Sequence, residues 1–211
     1  MAEWDLLLTD ARIATMRGGD GEYGTIENGA IAVADGEIAW LGPIGEIPGE
    51  KPAAAHSVGH RWLTPALIDC HTHLVFGGDR AAEFEQRQRG ASYEEVAATG
   101  GGILSTVKAT RAASADELFD AALPRLLALA EDGAATIEVK SGYGLDVDSE
   151  IRMLEVGRRL GDATPVDVRT TLLAAHTVPP EYRGNADAYI CLLYTSPSPR
   201  DATLSRMPSS A

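Results

Sequence analysis

The sequence predicts an α/β fold in which a β-rich segment precedes part of a (β/α)8 TIM-type barrel. Two observations carry that reading. From Leu63 onward, short apolar strands alternate with amphipathic helices, an order that implies right-handed crossovers and a parallel sheet. In three places polar residues follow directly on a strand: Cys70-His71-Thr72-His73, Lys140-Ser141-Gly142-Tyr143 and Ala175-His176. The C-terminal ends of the strands are where such a barrel keeps its active site. Residues 63–190 make about half of the ~250 residues that a barrel takes, so the predicted barrel is truncated at the C-terminus.

In chain order, Trp4 to Thr9 reads as a strand, and Gly29 to Ala34 and Glu37 to Leu41 flank Asp35-Gly36, a strong hairpin signal because the tight turn needs positive φ. The stretch 42–59, with Pro43, Pro48 and Pro52, reads as a linker, and a boundary is placed between Pro52 and Trp62. Residues 1–62 thus form one portion and 63–190 the barrel portion. Within the latter, Leu63 to Asp69 is a strand, Arg80 to Ala98 a polar helix, and Gly100-Gly101-Gly102 a turn. Ser114 and Glu117 have capping-box spacing. Leu118, Ala122, Leu126 and Leu129 then share one helical face, Gly133 ends it, and Pro124 predicts a kink or an early break. Ala135 to Val139 is a strand, Asp148 to Leu160 a helix facing inward through Ile151, Leu154 and Leu160, and Val166 to Ala174 a strand.

Of the 211 residues, 45% are hydrophobic and 23% charged, the balance of a folded chain. A net charge of −13 repels a phosphate backbone, so no nucleic-acid partner is expected. No apolar run is long enough to span a membrane. Met1-Ala2-Glu3-Trp4-Asp5 lacks the basic-then-apolar order of a secretory signal, which predicts a cytoplasmic protein with no membrane partner. Cys70 and Cys191 build no disulfide framework. Residues 191–211 hold three prolines and five serines without helical or strand period and are expected to be a non-native, disordered tail. Their first eleven residues, Cys191 to Asp201, resemble the in-frame translation of a sequencing-library adaptor.

His71-Thr72-His73 carries the chemistry. Alternate residues of a strand point to one side, so both imidazoles project together while Thr72 faces away. Neutral imidazoles that share a direction suit zinc or ferrous iron. By itself the pattern also describes two surface or core histidines. Asp69 lies on the same face, either orienting a ligand or serving structure. His56 and His60 fall in the linker and read as solvated.

Pro65-Ala66-Leu67-Ile68-Asp69-Cys70-His71-Thr72-His73 resembles the Pro-Gly-hydrophobic-hydrophobic-Asp-x-His-x-His signature of the amidohydrolase superfamily, with Ala66 where glycine is usual. Within it, the chain resembles the imidazolonepropionase family through His73 to Arg80, Gly100 to Ile103, Glu138 to Leu145 and Ala175 to Tyr182. The resemblance implies a small β-sandwich before the barrel. It implies hydrolysis of 4-imidazolone-5-propanoate, the small-molecule substrate, to N-formimidoyl-L-glutamate in histidine degradation. One divalent metal, zinc or iron, would be bound by His71 and His73. The resemblance makes Arg80, Tyr143 and His176 substrate-binding residues, where surface pairing, packing beside a loop and a core histidine are their ordinary roles. Lys140 matches the mononuclear pattern and reads as structural. A full-length member would be a homodimer by default.

The family needs further metal ligands and acid–base residues from later strands, expected in a C-terminal half that residues 1–190 do not contain. Two imidazoles leave a zinc ion short of its usual three protein ligands, so the 211-residue chain is expected to be inactive and poorly folded. Alternatives are another cyclic amidase or a deaminase of the superfamily, a gene fragment without catalysis, and a binding module without chemistry.

Overall fold

Asp35 and Gly36 take φ values of 53° and 78° and fold β2 (Thr25–Ala34) back on β3 (Glu37–Pro43) as an antiparallel hairpin. This is the geometry for which that dipeptide is suited. The computed structural model describes residues 4–18, 21–49, 51–92, 95 and 101–195. It divides into two units, Met1–Ala66 and Leu67–Ala211.

In the first unit, β1 (Trp4–Ala14) pairs antiparallel with β2 on one side and parallel with β4 (Pro52–Ser57) on the other, and the two-residue β5 (Trp62–Leu63) also joins β1. The path is β3-β2-β1-β4. Trp4, Leu7, Ala30 and Ala32 are buried together, with Trp40 packed against them and stacked on Trp4 at 6.3 Å. Trp62 carries the Arg12 guanidinium 5.9 Å above its ring. The expected linker 42–59 therefore contains a strand. Ala53-Ala54-Ala55 shows no apolar–polar alternation, and Pro52 occupies the first strand position, where proline is tolerated because its missing N–H is harmless. His56 lies on β4 and is exposed. The described residues of this unit form a single sheet.

The expected strand from Leu63 to Asp69 is split. Leu63 belongs to the first sheet, Thr64-Pro65-Ala66 interrupt the pairing, and β6 begins at Leu67 and runs to Thr72. In the second unit β6, β7 (Ala134–Lys140) and β8 (Asp167–Thr171) form a parallel sheet in that order. Helices α1 (Ala81–Gln88), α2 (Ile103–Ala112) and α3 (Ala115–Glu131) connect β6 to β7, and α4 (Val147–Ala163) connects β7 to β8. The core joins Leu118, Ala122 and Leu126 of α3 to Ile137 and Val139 of β7 and to Met153, Val156 and Leu160 of α4.

Ser114 caps α3 as its spacing predicts. Its hydroxyl accepts from Glu117 N at 3.2 Å, and the Glu117 carboxylate accepts from Ser114 N at 2.8 Å. The expected break at Pro124 does not occur, and α3 is continuous from Ala115 to Glu131. Interior proline costs about 3 kcal/mol, but the buried face on both sides of it holds Leu118 and Leu126, each of which contributes about 1.5–3 kcal/mol. Helix α1 is shorter than Arg80–Ala98: it ends at Gln88, and Gly90 follows at φ 98°. Glu95 is helical, while 96–98 and Gly100 lie outside the described residues. Strand β8 stops at Thr171 rather than Ala174, because Ala174–His176 forms a 3-10 turn.

A last helix, α5, spans Ala186–Thr195. The expected tail is thus helical in its first five residues, because the apolar run Tyr189 to Leu193 continues a helical turn and Tyr189 is buried. Residues 196–211 lie outside the described residues. Truncating Leu126 to alanine should cost about 2–5 kcal/mol, and Ser114→Ala about 1 kcal/mol. Urea unfolding followed by far-ultraviolet circular dichroism checks both, and equal losses would contradict the burial difference between them.

Candidate active site

Each of the three parallel strands delivers a site residue at its C-terminal end. Strand β6 ends at Thr72, whose hydroxyl donates to the Glu138 carbonyl on β7 at 2.7 Å. That bond turns Thr72 toward the neighbouring strand, and the flanking rings of His71 and His73 lie 5.5 Å apart at 60°. Leu74 and Val75, buried in the core, fix the chain just past His73. The Asp69 carboxylate accepts from the His71 main-chain N–H at 3.2 Å, so it braces the strand end.

After β7 comes Ser141-Gly142-Tyr143-Gly144-Leu145. Glu150, 1% exposed, accepts from the main-chain N–H groups of Gly142, Gly144 and Leu145 at 2.7–2.8 Å. Gly142 has φ 120°, and a Cβ there would fall 2.7 Å from His176 Nδ1; only glycine admits that approach. Ser141 Oγ accepts from Leu173 N at 2.9 Å. The Tyr189 hydroxyl donates to the Ala174 carbonyl at 2.7 Å, which anchors the 3-10 turn bearing His176. Burial pushes the Tyr189 phenol up to about 12, with the nearby Glu150 charge adding to it.

Tyr143 thereby enters a cluster of rings. It stands 5.2 Å from His73 and 5.7 Å from His176, while His73 and His176 stack at 4.9 Å. Phe76 meets Tyr143 edge-on at 6.0 Å. Burial holds the His73 pKa below the ordinary histidine value; His176, His71 and Lys140 add in the same direction and the Ser141 main chain opposes. His73 Nδ1 is buried without a hydrogen-bond partner.

Arg80 is joined to the cluster by a shared cavity of about 470 Å³, lined among others by Phe76, Arg80, Thr106, Arg125 and Tyr143. Its Nε donates to Thr106 Oγ1 at 3.0 Å. Lys140 is ion-paired to Glu138 at 2.6 Å. The Lys140 hydrogen bond, then that from Thr171, holds Glu138 below the usual carboxylate range.

The structure thus brings His71, His73, Tyr143 and His176 together and sets Arg80 on the wall of an adjoining cavity. His71 and His73 suit a metal as neutral imidazoles, and the partnerless Nδ1 is an open donor atom. They are two donors only: among the described residues, no three His, Cys, Asp or Glu side chains are grouped to hold an ion.

Four contributors were not legible in the sequence. Glu150 resembles any acidic residue in a first helical turn, and Glu138 an outward residue of a strand. Arg125 stands next to the supposed break at Pro124. Arg111 lies on α2, which carries no clear apolar period because two of its buried residues are Thr106 and Thr110. Yet Arg111 donates to the Gly144 carbonyl at 2.6 Å, and pairs with Asp146 at 2.9 Å and Glu181 at 2.7 Å. It ties the Tyr143 turn to the segment that follows His176.

No protein-family model matches the chain. Among known proteins, the imidazolonepropionase of Roseobacter denitrificans is 58% identical over 186 residues, covering 88% of this chain and 47% of that protein. Those of Cereibacter sphaeroides (57% over 187 residues, covering 88% of this chain and 46% of the relative) and Ralstonia nicotianae (56% over 188 residues, 89% and 46%) are similar. By sequence, the chain matches the imidazolonepropionases. It spans about half the length of the curated relatives it matches. The stretches through which it resembles the imidazolonepropionase family include those that build the ring cluster.

Replacing Glu150 with glutamine should loosen the Tyr143 turn without unfolding the unit, because one amide nitrogen would then face main-chain N–H groups. Hydrogen exchange at Gly142, Gly144 and Leu145 should rise at least tenfold, corresponding to roughly 1.4 kcal/mol of lost local stability. Unchanged exchange would remove Glu150 from this role. The Arg111 hydrogen bond lowers the pKa of Glu181. A lowered carboxylate stabilises above its unfolded pKa, and that support is lost as pH falls through the folded value. Protection of the segment 177–182 should therefore decline on acidification below the ordinary carboxylate range, and Arg111→Met should abolish the decline.

Proposed function

We propose that this chain is the substrate-binding and partly metal-binding portion of an enzyme that hydrolyses 4-imidazolone-5-propanoate to N-formimidoyl-L-glutamate, a step of histidine degradation. The single observation that carries the proposal is the convergence of His71, His73, Tyr143 and His176 at three adjacent strand ends in a chain 58% identical to an imidazolonepropionase. On this reading the parallel sheet is the first part of a (β/α)8 barrel, and the N-terminal sheet belongs to a β-sandwich. The whole protein would be cytoplasmic and homodimeric.

His71 and His73 would hold one divalent metal, zinc or iron, together with ligands not among the described residues. Such an ion lowers the pKa of a bound water toward neutrality and polarises a ring carbonyl. The chain's own residues bind and orient the substrate. Arg80 presents a planar fork to the propanoate carboxylate. Tyr143, held at its turn by Glu150, offers a phenolic hydroxyl from a fixed position. His176, stacked on His73, offers a ring nitrogen to the imidazolone. Phe76 and Tyr143 wall the ring site against water. Opening the C–N bond requires a proton at the leaving nitrogen, from a group beyond those assembled here.

The test is a chimera in which residues 1–190 are followed by the remaining length of the Roseobacter denitrificans relative. Loaded with zinc or ferrous iron, it should open the imidazolone ring, and His73→Ala should lower the rate at least 100-fold, about 2.7 kcal/mol. The 211-residue chain alone should show no ring opening. Turnover of cytosine, guanine or a hydantoin by the chimera, with none of imidazolone propanoate, would replace this reading with that of a different cyclic amidase or deaminase.

A further inference from the structure

Arg125 stands on α3 beside the buried Leu126, and its side chain is half-buried. Its guanidinium carbon lies 3.6 Å from the Phe76 ring centroid. Nη1 donates to the carbonyls of Leu74 at 2.8 Å and Phe76 at 3.2 Å. These contacts fix the plane of the guanidinium and use one nitrogen. Among the described residues, neither Arg125 nor Arg80 has a carboxylate within 4.0 Å, although both line the same cavity. Asp79 lies at that cavity too, and its Oδ1 accepts from the Ala81 main-chain N–H at 2.9 Å.

A partly buried cation is normally paired, and this chain carries 31 acidic residues against 18 basic ones. Arg80 already acts by its charge on the Glu83 carboxyl, whereas Arg125, facing the same cavity, has no carboxylate partner among the described residues, which points to an anion supplied from outside. Tyr143 lines the cavity and also stands in the histidine cluster, so a planar ring held at the cluster would direct a short acidic arm toward the arginines. We propose that Arg125 is a second guanidinium of the carboxylate subsite, sharing the acid arm of a heterocyclic substrate with Arg80 and selecting acids over neutral rings. This rests on the function proposed above and deepens it. Arg125 touches the arm and not the scissile bond, so it determines specificity.

The experiment uses the 211-residue chain and two probes, imidazole-4-propanoate and its methyl ester, with binding followed by calorimetry. The wild-type chain should bind the acid at least tenfold more tightly than the ester. Arg125→Met should abolish most of that preference and leave ester affinity within twofold, and Arg125→Lys should keep part of it. In the wild-type chain, the 15N guanidinium resonances of Arg125 should shift with the acid and not with the ester, a readout that stands if Arg125→Met does not fold. Preference retained in Arg125→Met, or resonances unmoved by bound acid, overturns the role of Arg125 alone. Failure of the wild-type chain to prefer the acid overturns both this inference and the reading beneath it.

Discussion

Glu150 replaces water for three main-chain N–H groups of one turn, and the position of Tyr143 in the ring cluster follows from that exchange. Buried donors must be satisfied, and a carboxylate does so with stronger bonds than a neutral acceptor. Because the turn is pinned, Gly142 approaches His176 as closely as the absence of a side chain permits, and Tyr143 is driven between His73 and Phe76. Arg111 then holds the same turn from outside through the Gly144 carbonyl and Asp146. Tyr143 is thus positioned from both sides of its loop, by groups that do not share a strand with it.

What was legible in the sequence is what local chemistry alone determines. The Asp35-Gly36 hairpin, the Ser114–Glu117 cap and the paired imidazoles of His71 and His73 each need only a few neighbouring residues. What was not legible depends on partners far along the chain. Strand β4 is stabilised by pairing with β1 and not by its own alanines. Helix α3 passes through Pro124 because Leu118 and Leu126 are buried against β7 and α4. Arg125 and Arg111 become site residues only when α2 and α3 are packed beside the strand ends. Helix α5 extends past the expected limit at Ile190, because apolar continuity of the chain overrides a change in composition.

The electrostatics of the second unit are local against the background of an acidic protein. Four basic groups serve the site: Lys140 beside Glu138, Arg111 between Asp146 and Glu181, and Arg80 and Arg125 at the cavity. Lys140 lowers the pKa of Glu138 and Arg111 that of Glu181. Arg125 differs in having no such match among the described residues, and its surroundings combine an aromatic wall with main-chain carbonyls. His73 sits between these regimes, its pKa lowered first by burial and then by the neighbouring His176, His71 and Lys140.

The tryptophans have a practical consequence for watching this molecule. The chain has three, and Trp4, Trp40 and Trp62 all belong to the first unit, two of them stacked on each other. The second unit carries tyrosines instead, with Tyr143 in the ring cluster and Tyr182 against Tyr189 at 5.3 Å. Indole emission therefore reports on the N-terminal sheet and not on the candidate site. Melting or ligand-titration curves recorded by tryptophan fluorescence describe one unit, and tyrosine absorbance follows the other together with Tyr23 of the first.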